Sequence, residues 1–186
     1  MEGNEQLAVI IPMLKQVGHG IQPSHYDDAT PCAAFTVEGV LGHMADLASA
    51  YAPAFRGETP TPNSDSSAAD SVDSGARFQL AMDALLSAVQ SPGALERTID
   101  TPFGPMPGAA FARLVAFDGL IHGWDLATST QQAWDPPENV VAEVDAFARQ
   151  AIAPEMRDGD TFAAQTVPPA DASALLRLVA FSGRPV

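Results

Sequence analysis

Cysteine occurs once, at Cys32, in a chain of 186 residues. No internal disulfide framework can therefore brace the fold, and a lone thiol fits a reducing cytosol. Basic residues are scarce as well: nine Lys and Arg stand against 23 Asp and Glu, a formal charge of −14. Nucleic-acid binding draws on Lys and Arg set against phosphates, and no basic cluster is present to supply them. Anionic membrane surfaces are disfavoured on the same ground. No N-terminal stretch couples a basic segment to an apolar one, and the longest apolar runs fall well short of a membrane span. A cytoplasmic protein with no nucleic-acid or membrane partner is expected.

What is present suffices for a core. Hydrophobic residues make up 46% of the chain, the length suits one domain over residues 1–186, and a chain of this size buries roughly 70% of its unfolded surface. Along 4–21, Leu7, Ile10, Ile11, Leu14 and Val17 share a helical stripe, with a kink expected at Pro12. A turn-rich loop, "QPSHYDDATPC", leads to Thr36, an N-cap for a helix reaching about Arg56 with Val37, Val40, Leu41, Met44, Leu47 and Tyr51 buried. Residues 57–70 are a Pro/Ser-rich linker, and a third helix spans about 71–90. The prolines and glycines of 95–108 predict a short hairpin, Pro107 opens a helix over about 108–129, and another Pro-initiated helix covers about 136–152. An extended piece near 160–167 and a short helix over 171–181, stopped by "SGRP", complete the chain. The pattern is all-α: a bundle over about 4–152 with a short β-hairpin, and a C-terminal extension over about 153–186.

The segment "AFDGLIHGWDLA", 116–127, is apolar and helical yet carries Asp118 and His122 one turn apart. At about 100° per residue these two differ by roughly 40° around the helix, and Asp125 returns to within about 20° of Asp118. A carboxylate and an imidazole at i, i+4 can chelate one ion from a single helix. His43, between Val40 and Leu47, lies on the buried stripe of the second helix, so two helices aim three ligands inward. Spacing alone leaves this open. A buried hydrogen-bonded Asp–His couple accounts for the same residues without a metal, although an uncompensated buried charge costs several kcal/mol.

"DATPCAAFTVEGVLGHMADLASAYAPAFRG", "DGLIHGWDLATST" and the closing "LLRLVAFSGRPV" resemble the actinobacterial metal-binding branch of the DinB-like superfamily. That branch is similar to the N-terminal domain of mycothiol-dependent maleylpyruvate isomerase, and the likeness runs from about residue 5 to the C-terminus. It implies an up-down-down-up four-helix bundle with a long crossover, for which 57–70 could serve. It also implies a divalent metal held by one His from the second helix and a carboxylate-x-x-x-His pair from a later one. Here those are His43, Asp118 and His122. The departures are informative. The isomerase pattern has Glu where this chain has Asp118, Phe35 stands where relatives often carry Trp (a packing change), and "STQQ" replaces the usual Gly after "DLAT". The isomerase also has a second domain contributing to its site, for which this chain has no room, so maleylpyruvate isomerase activity itself is not carried over.

Three ligands leave coordination positions open, unlike a closed structural zinc site. His, His and Asp admit Zn²⁺, the first expectation, and equally Ni²⁺, Fe²⁺ or Mn²⁺. The resemblance suggests a metal-dependent transferase or isomerase using a low-molecular-weight thiol such as mycothiol. The alternatives are a noncatalytic protein that captures or sequesters a small molecule, and a metal-free helical scaffold. No residue is assigned as general acid or base. Asp125 either orients a ligand from behind or pairs with another neighbour. Asp46 reads as solvated, Trp124 as packing, and His19 and His25 as surface residues. Cys32 reads as a buried small residue, with a redox nucleophile as the alternative. Arg56, Arg77, Arg113 and Arg177 are candidate anchors for an anionic substrate, and a homodimer is expected by analogy alone.

Overall fold

The structure, a computed structural model, describes residues 1–58, 73–157 and 162–186. Six α-helices and one hairpin are found among them: α1 (Gly3–Gly20), α2 (Val37–Arg56), α3 (Ser74–Val89), β1 (Thr98–Thr101), β2 (Gly104–Pro107), α4 (Gly108–Ser129), α5 (Glu138–Ala151) and α6 (Ala174–Phe181). Most of the linker and the start of the third helix, as read from the sequence, lie outside the described residues, as does the start of the extended piece near 160.

Each long helix forms where its pattern directs. The stripe of Leu7, Ile10, Ile11, Leu14 and Val17 is buried on α1. The helix runs unbroken through Pro12, which is exposed, so the carbonyl it leaves free can meet water. Thr36 caps α2 by accepting from the Gly39 amide at 3.2 Å, and Gly57 ends it in the left-handed conformation at φ 76°. Asp73 caps α3 through the Ala76 amide at 3.1 Å. On α4, 14 residues are buried around its circumference, the mark of a helix enclosed on all sides.

α1 packs on α4 and on α3, α2 packs on α3, and α2 meets α4 more lightly. The four helices thus stand in a square, with α1 and α2 on one diagonal and α3 and α4 on the other. The hairpin pairs Thr98 with Pro107 and Thr101 with Gly104, and buried Ile99 pins it to the core. α5 lies against α4, and α6 against both α5 and α4. After α6 the chain reverses at Gly183, φ 96°, with the Arg184 amide donating back to the Val179 carbonyl at 3.3 Å. That reversal turns Arg184 towards α4.

Candidate metal centre and its flanking cavities

α2 contributes His43, and α4 contributes Asp118 and His122. Asp118 Oδ1 stands 3.4 Å from His43 Nε2 and 3.5 Å from His122 Nε2, and one donor atom from each residue lies within 4.8 Å of the others. The two imidazoles meet edge to face with centroids 4.9 Å apart. His43 is half-buried, since cavities flank it where the sequence pattern implied core.

The rear of the cluster is closed. His122 Nδ1 lies 3.0 Å from Asp125 Oδ2, a distance at which the Nδ1–H donates to the carboxylate and Nε2 is left facing Asp118 and His43. Asp125 is fully buried, and Arg184 Nη2 donates to it at 2.9 Å. Asp125 thus touches both the His122 ring and a neighbouring side chain, Arg184. In front, Phe35 stacks on His43 at 5.2 Å and meets His122 at 6.0 Å, which makes this packing residue a direct neighbour of both rings.

Electrostatics follow the geometry. Contact with Asp118 raises the pKa of His43, against the opposing effect of burial. Burial would raise Asp118, but the His122 charge, the His43 contact and Arg184 outweigh it and hold the carboxyl below its ordinary value. Burial also opposes the charge of Arg184, and Asp125 more than offsets it.

Two cavities share the cluster. One, of about 750 Å³, runs between α2 and α4. The other, of about 460 Å³, is bordered by Cys32, His122, Ser182 and Arg184. His43, Asp118, Phe35, Phe117 and Phe162 line both.

The remaining sequence candidates sit elsewhere. Exposed Asp46 is paired with Arg77. Arg56 pairs with Glu58 at 2.8 Å, Arg113 lies over the Phe147 ring at 4.5 Å, and Arg177 donates to the Ala172 carbonyl. None of Arg56, Arg77, Arg113 and Arg177 lines either of the two cavities. Trp124 is half-buried against the core, as packing requires. His19 is exposed at the end of α1, and His25 Nδ1 accepts from the Gln22 amide at 3.2 Å. Cys32 is half-buried and lines a cavity, where a buried packing residue was expected. The basic residue that sequence reasoning missed is Arg184. Its signal was Asp125 itself, because a carboxylate inside an apolar helix demands a partner.

The fold is a DinB-like helical bundle. A DinB-like protein of Bacillus subtilis superposes with a TM-score of 0.53 at 12% identity, covering 73% of this chain and 95% of that one. A mutant of the mycothiol-dependent maleylpyruvate isomerase superposes with a TM-score of 0.56 at 14% identity, covering 78% and 69%. Residues 14–127 match the mycothiol maleylpyruvate isomerase N-terminal domain family, and the chain belongs to that family. It is also 36% identical over 97 residues to uncharacterized proteins from two strains of Mycobacterium tuberculosis, CDC 1551 and H37Rv. It spans about half the length of those relatives, 53%, and the match covers 52% of this chain. No helix among the described residues is long and apolar enough to cross a membrane.

Proposed function

We propose that His43, Asp118 and His122 hold a divalent metal ion, and that the protein uses it with a low-molecular-weight thiol such as mycothiol in a transferase or isomerase reaction. One observation carries the metal reading. Two ligands bound about 2.1 Å from one tetrahedral ion lie about 3.4 Å apart, and Asp118 Oδ1 stands 3.4 and 3.5 Å from the two histidine Nε2 atoms. Those separations are long for hydrogen bonds, which favour about 2.7–3.2 Å for nitrogen and oxygen. They suit co-ligands better than a metal-free couple. A donor set of two imidazoles and one carboxylate favours Zn²⁺ among the divalent ions.

An ion held by three residues would favour ionisation of a thiol or polarise a carbonyl at its open positions. The protein's own groups prepare for this. Asp125 fixes the His122 tautomer, Arg184 balances Asp125, and Phe35 packs against both imidazoles. The cluster is the shared wall of two cavities of different character, which supports the approach of two molecules, a polar thiol beside Arg184 and a second substrate between α2 and α4. The family of the chain supports the thiol. The same reading puts the protein in the cytoplasm, where thiols stay reduced.

The test is metal analysis of the purified and reconstituted protein beside the triple variant His43→Ala, Asp118→Ala, His122→Ala. Stoichiometric metal in the wild type, lost in the variant while helical circular dichroism persists, supports the site. A wild type that never binds metal ends the reading. The cavity of about 750 Å³ also favours a second reading, capture of a small molecule without turnover. Electrophile consumption with mycothiol, set against thiol-free controls, separates the two.

A further inference from the structure

The larger cavity has a direction. At one end His43 of α2 meets Asp118 of α4 at 3.4 Å. At the other, Tyr51 of α2 meets Phe111 of α4 with ring centroids 4.5 Å apart. The helices therefore run antiparallel here. His43 and Tyr51, eight residues apart, are separated by about 12 Å along the axis. Between these ends the walls are aliphatic and aromatic, among them Leu47, Leu114, Val115 and Phe117. Phe103, at the hairpin turn, borders the cavity while 48% exposed. A large apolar side chain held partly in water beside an apolar cleft marks a binding mouth.

Charge is distributed just as unevenly. No Lys or Arg lines this cavity among the described residues, and segments 59–72 and 158–161 contain neither residue type. Among the described residues the acidic groups are Asp118, in the metal cluster, and Asp46, paired with Arg77. A carboxylate on a ligand's far end would find no cation and apolar walls, which costs several kcal/mol. The Tyr51 hydroxyl offers a polar contact there; burial alone raises its pKa, with no bonding partner contributing.

We propose that this cavity takes an uncharged aromatic molecule about 10 Å long, reactive at the His43–Asp118 end and carrying a hydrogen-bond acceptor that reaches Tyr51, and that it rejects dicarboxylates. The proposal rests on the metal–thiol reading for the reactive end only; the walls select the ligand with or without an ion.

The experiment follows the fluorescence of N-phenyl-1-naphthylamine, an uncharged apolar probe, in metal-free and Zn²⁺-reconstituted protein. Competitors are benzylideneacetone, cinnamate and maleate, which differ in charge. One saturable probe site is expected, with benzylideneacetone displacing the probe at least tenfold better than cinnamate or maleate in the metal-free protein. Gly42 lines the cavity, and a Cβ there would meet nothing within 4 Å. Gly42→Phe should thus fill the space without disturbing the fold and cut probe affinity at least tenfold. Exposed Ala50, on the same wall, gives Ala50→Trp as an independent blocker if Gly42→Phe fails to fold. Tyr51→Phe should weaken 4-methoxybenzylideneacetone, whose ether oxygen lies at the end opposite its enone, about fivefold and leave benzylideneacetone and the probe unchanged. Cinnamate or maleate competing as well as benzylideneacetone overturns the proposal, as does undiminished probe binding by a folded blocking variant. A protein that binds the probe with this selectivity but takes up no metal refutes the metal reading and leaves this one standing. One that takes up metal but not the probe does the reverse.

Discussion

Arg184→Met tests whether the site is braced from behind by a buried ion pair. The Asp125 carboxylate is 0% exposed and the Arg184 side chain 15%, so Asp125 has no water to turn to and Arg184 has little. Removing one partner of such a pair costs about 3–5 kcal/mol, because the other is left uncompensated. Asp125 retains the His122 Nδ1–H at 3.0 Å, which puts the expectation at the lower end, about 3 kcal/mol. For a chain of this length each kcal/mol moves Tm by about 2–4 °C, so a fall of about 6–12 °C is expected. Equilibrium urea unfolding of metal-free protein, followed by circular dichroism, reads the loss directly. The double variant Asp125→Leu, Arg184→Met removes both charges and leaves only the His122 donor unpaired, a cost of about 1–3 kcal/mol. It should therefore be less destabilised than the two single variants summed, by at least about 2 kcal/mol. Strict additivity, or an Arg184→Met protein within about 0.5 kcal/mol of wild type, would refute the argument.

Asp125→Asn should weaken metal binding about 10–100-fold by chelator competition, because the His122 tautomer is then less firmly set; an unchanged affinity would remove Asp125 from the site. Gly123→Ala should cost about 1–3 kcal/mol, since its Cβ would press into the rigid Trp134 indole, and adding Trp134→Leu should recover most of the loss. Asp73→Ala should lower stability by about 1 kcal/mol through loss of the α3 cap. The Tyr26 hydroxyl, donating at 2.7 Å, and the Ala76 amide hold the Asp73 carboxyl below its ordinary value. Its contribution is therefore full above the unfolded pKa, about 3.9, and is lost as pH falls through the lower folded value. The gap between wild type and Asp73→Ala should be flat at neutral pH and shrink in acid; a gap that widens as pH falls contradicts this sign.

Periodicity revealed the helices because burial on one face writes itself into spacing: the α1 stripe and the α2 face from Val37 to Met44 are buried as their pattern requires. The three candidate ligands were legible because polar residues inside apolar runs must answer for their cost. Asp125 was harder to place. Its helical angle sets it beside Asp118, yet side chains tilt towards the helix N-terminus, so Asp125 covers the turn containing His122 and reaches that ring from behind. Arg184 escaped because "SGRP" has the form of a helix stop. Only the fold shows that the Gly183 turn, which a Cβ would crowd against Ala163 and the Ala164 carbonyl, also delivers a guanidinium to α4. The cavity between α2 and α4 could not be read at all, since the gap between two helices is not a property of either helix's spacing.

That gap also accounts for the position of the site. α1 with α4 and α2 with α3 pack extensively, while α2 and α4 meet only lightly, so the bundle behaves as two helix pairs with a seam between them. His43 stands on one side of the seam and Asp118 with His122 on the other. The ring pairs Tyr51–Phe111 at 4.5 Å and Phe55–Phe111 at 5.8 Å close the seam at the far end and set its width. Each pair packs extensively within itself, so the donor spacing at the open end should follow how those rings seat. A change at Phe111, about 10 Å along α4 from Asp118 at 1.5 Å per residue, should therefore alter the His43–Asp118 separation while leaving the Asp118–His122 separation, internal to one helix, untouched.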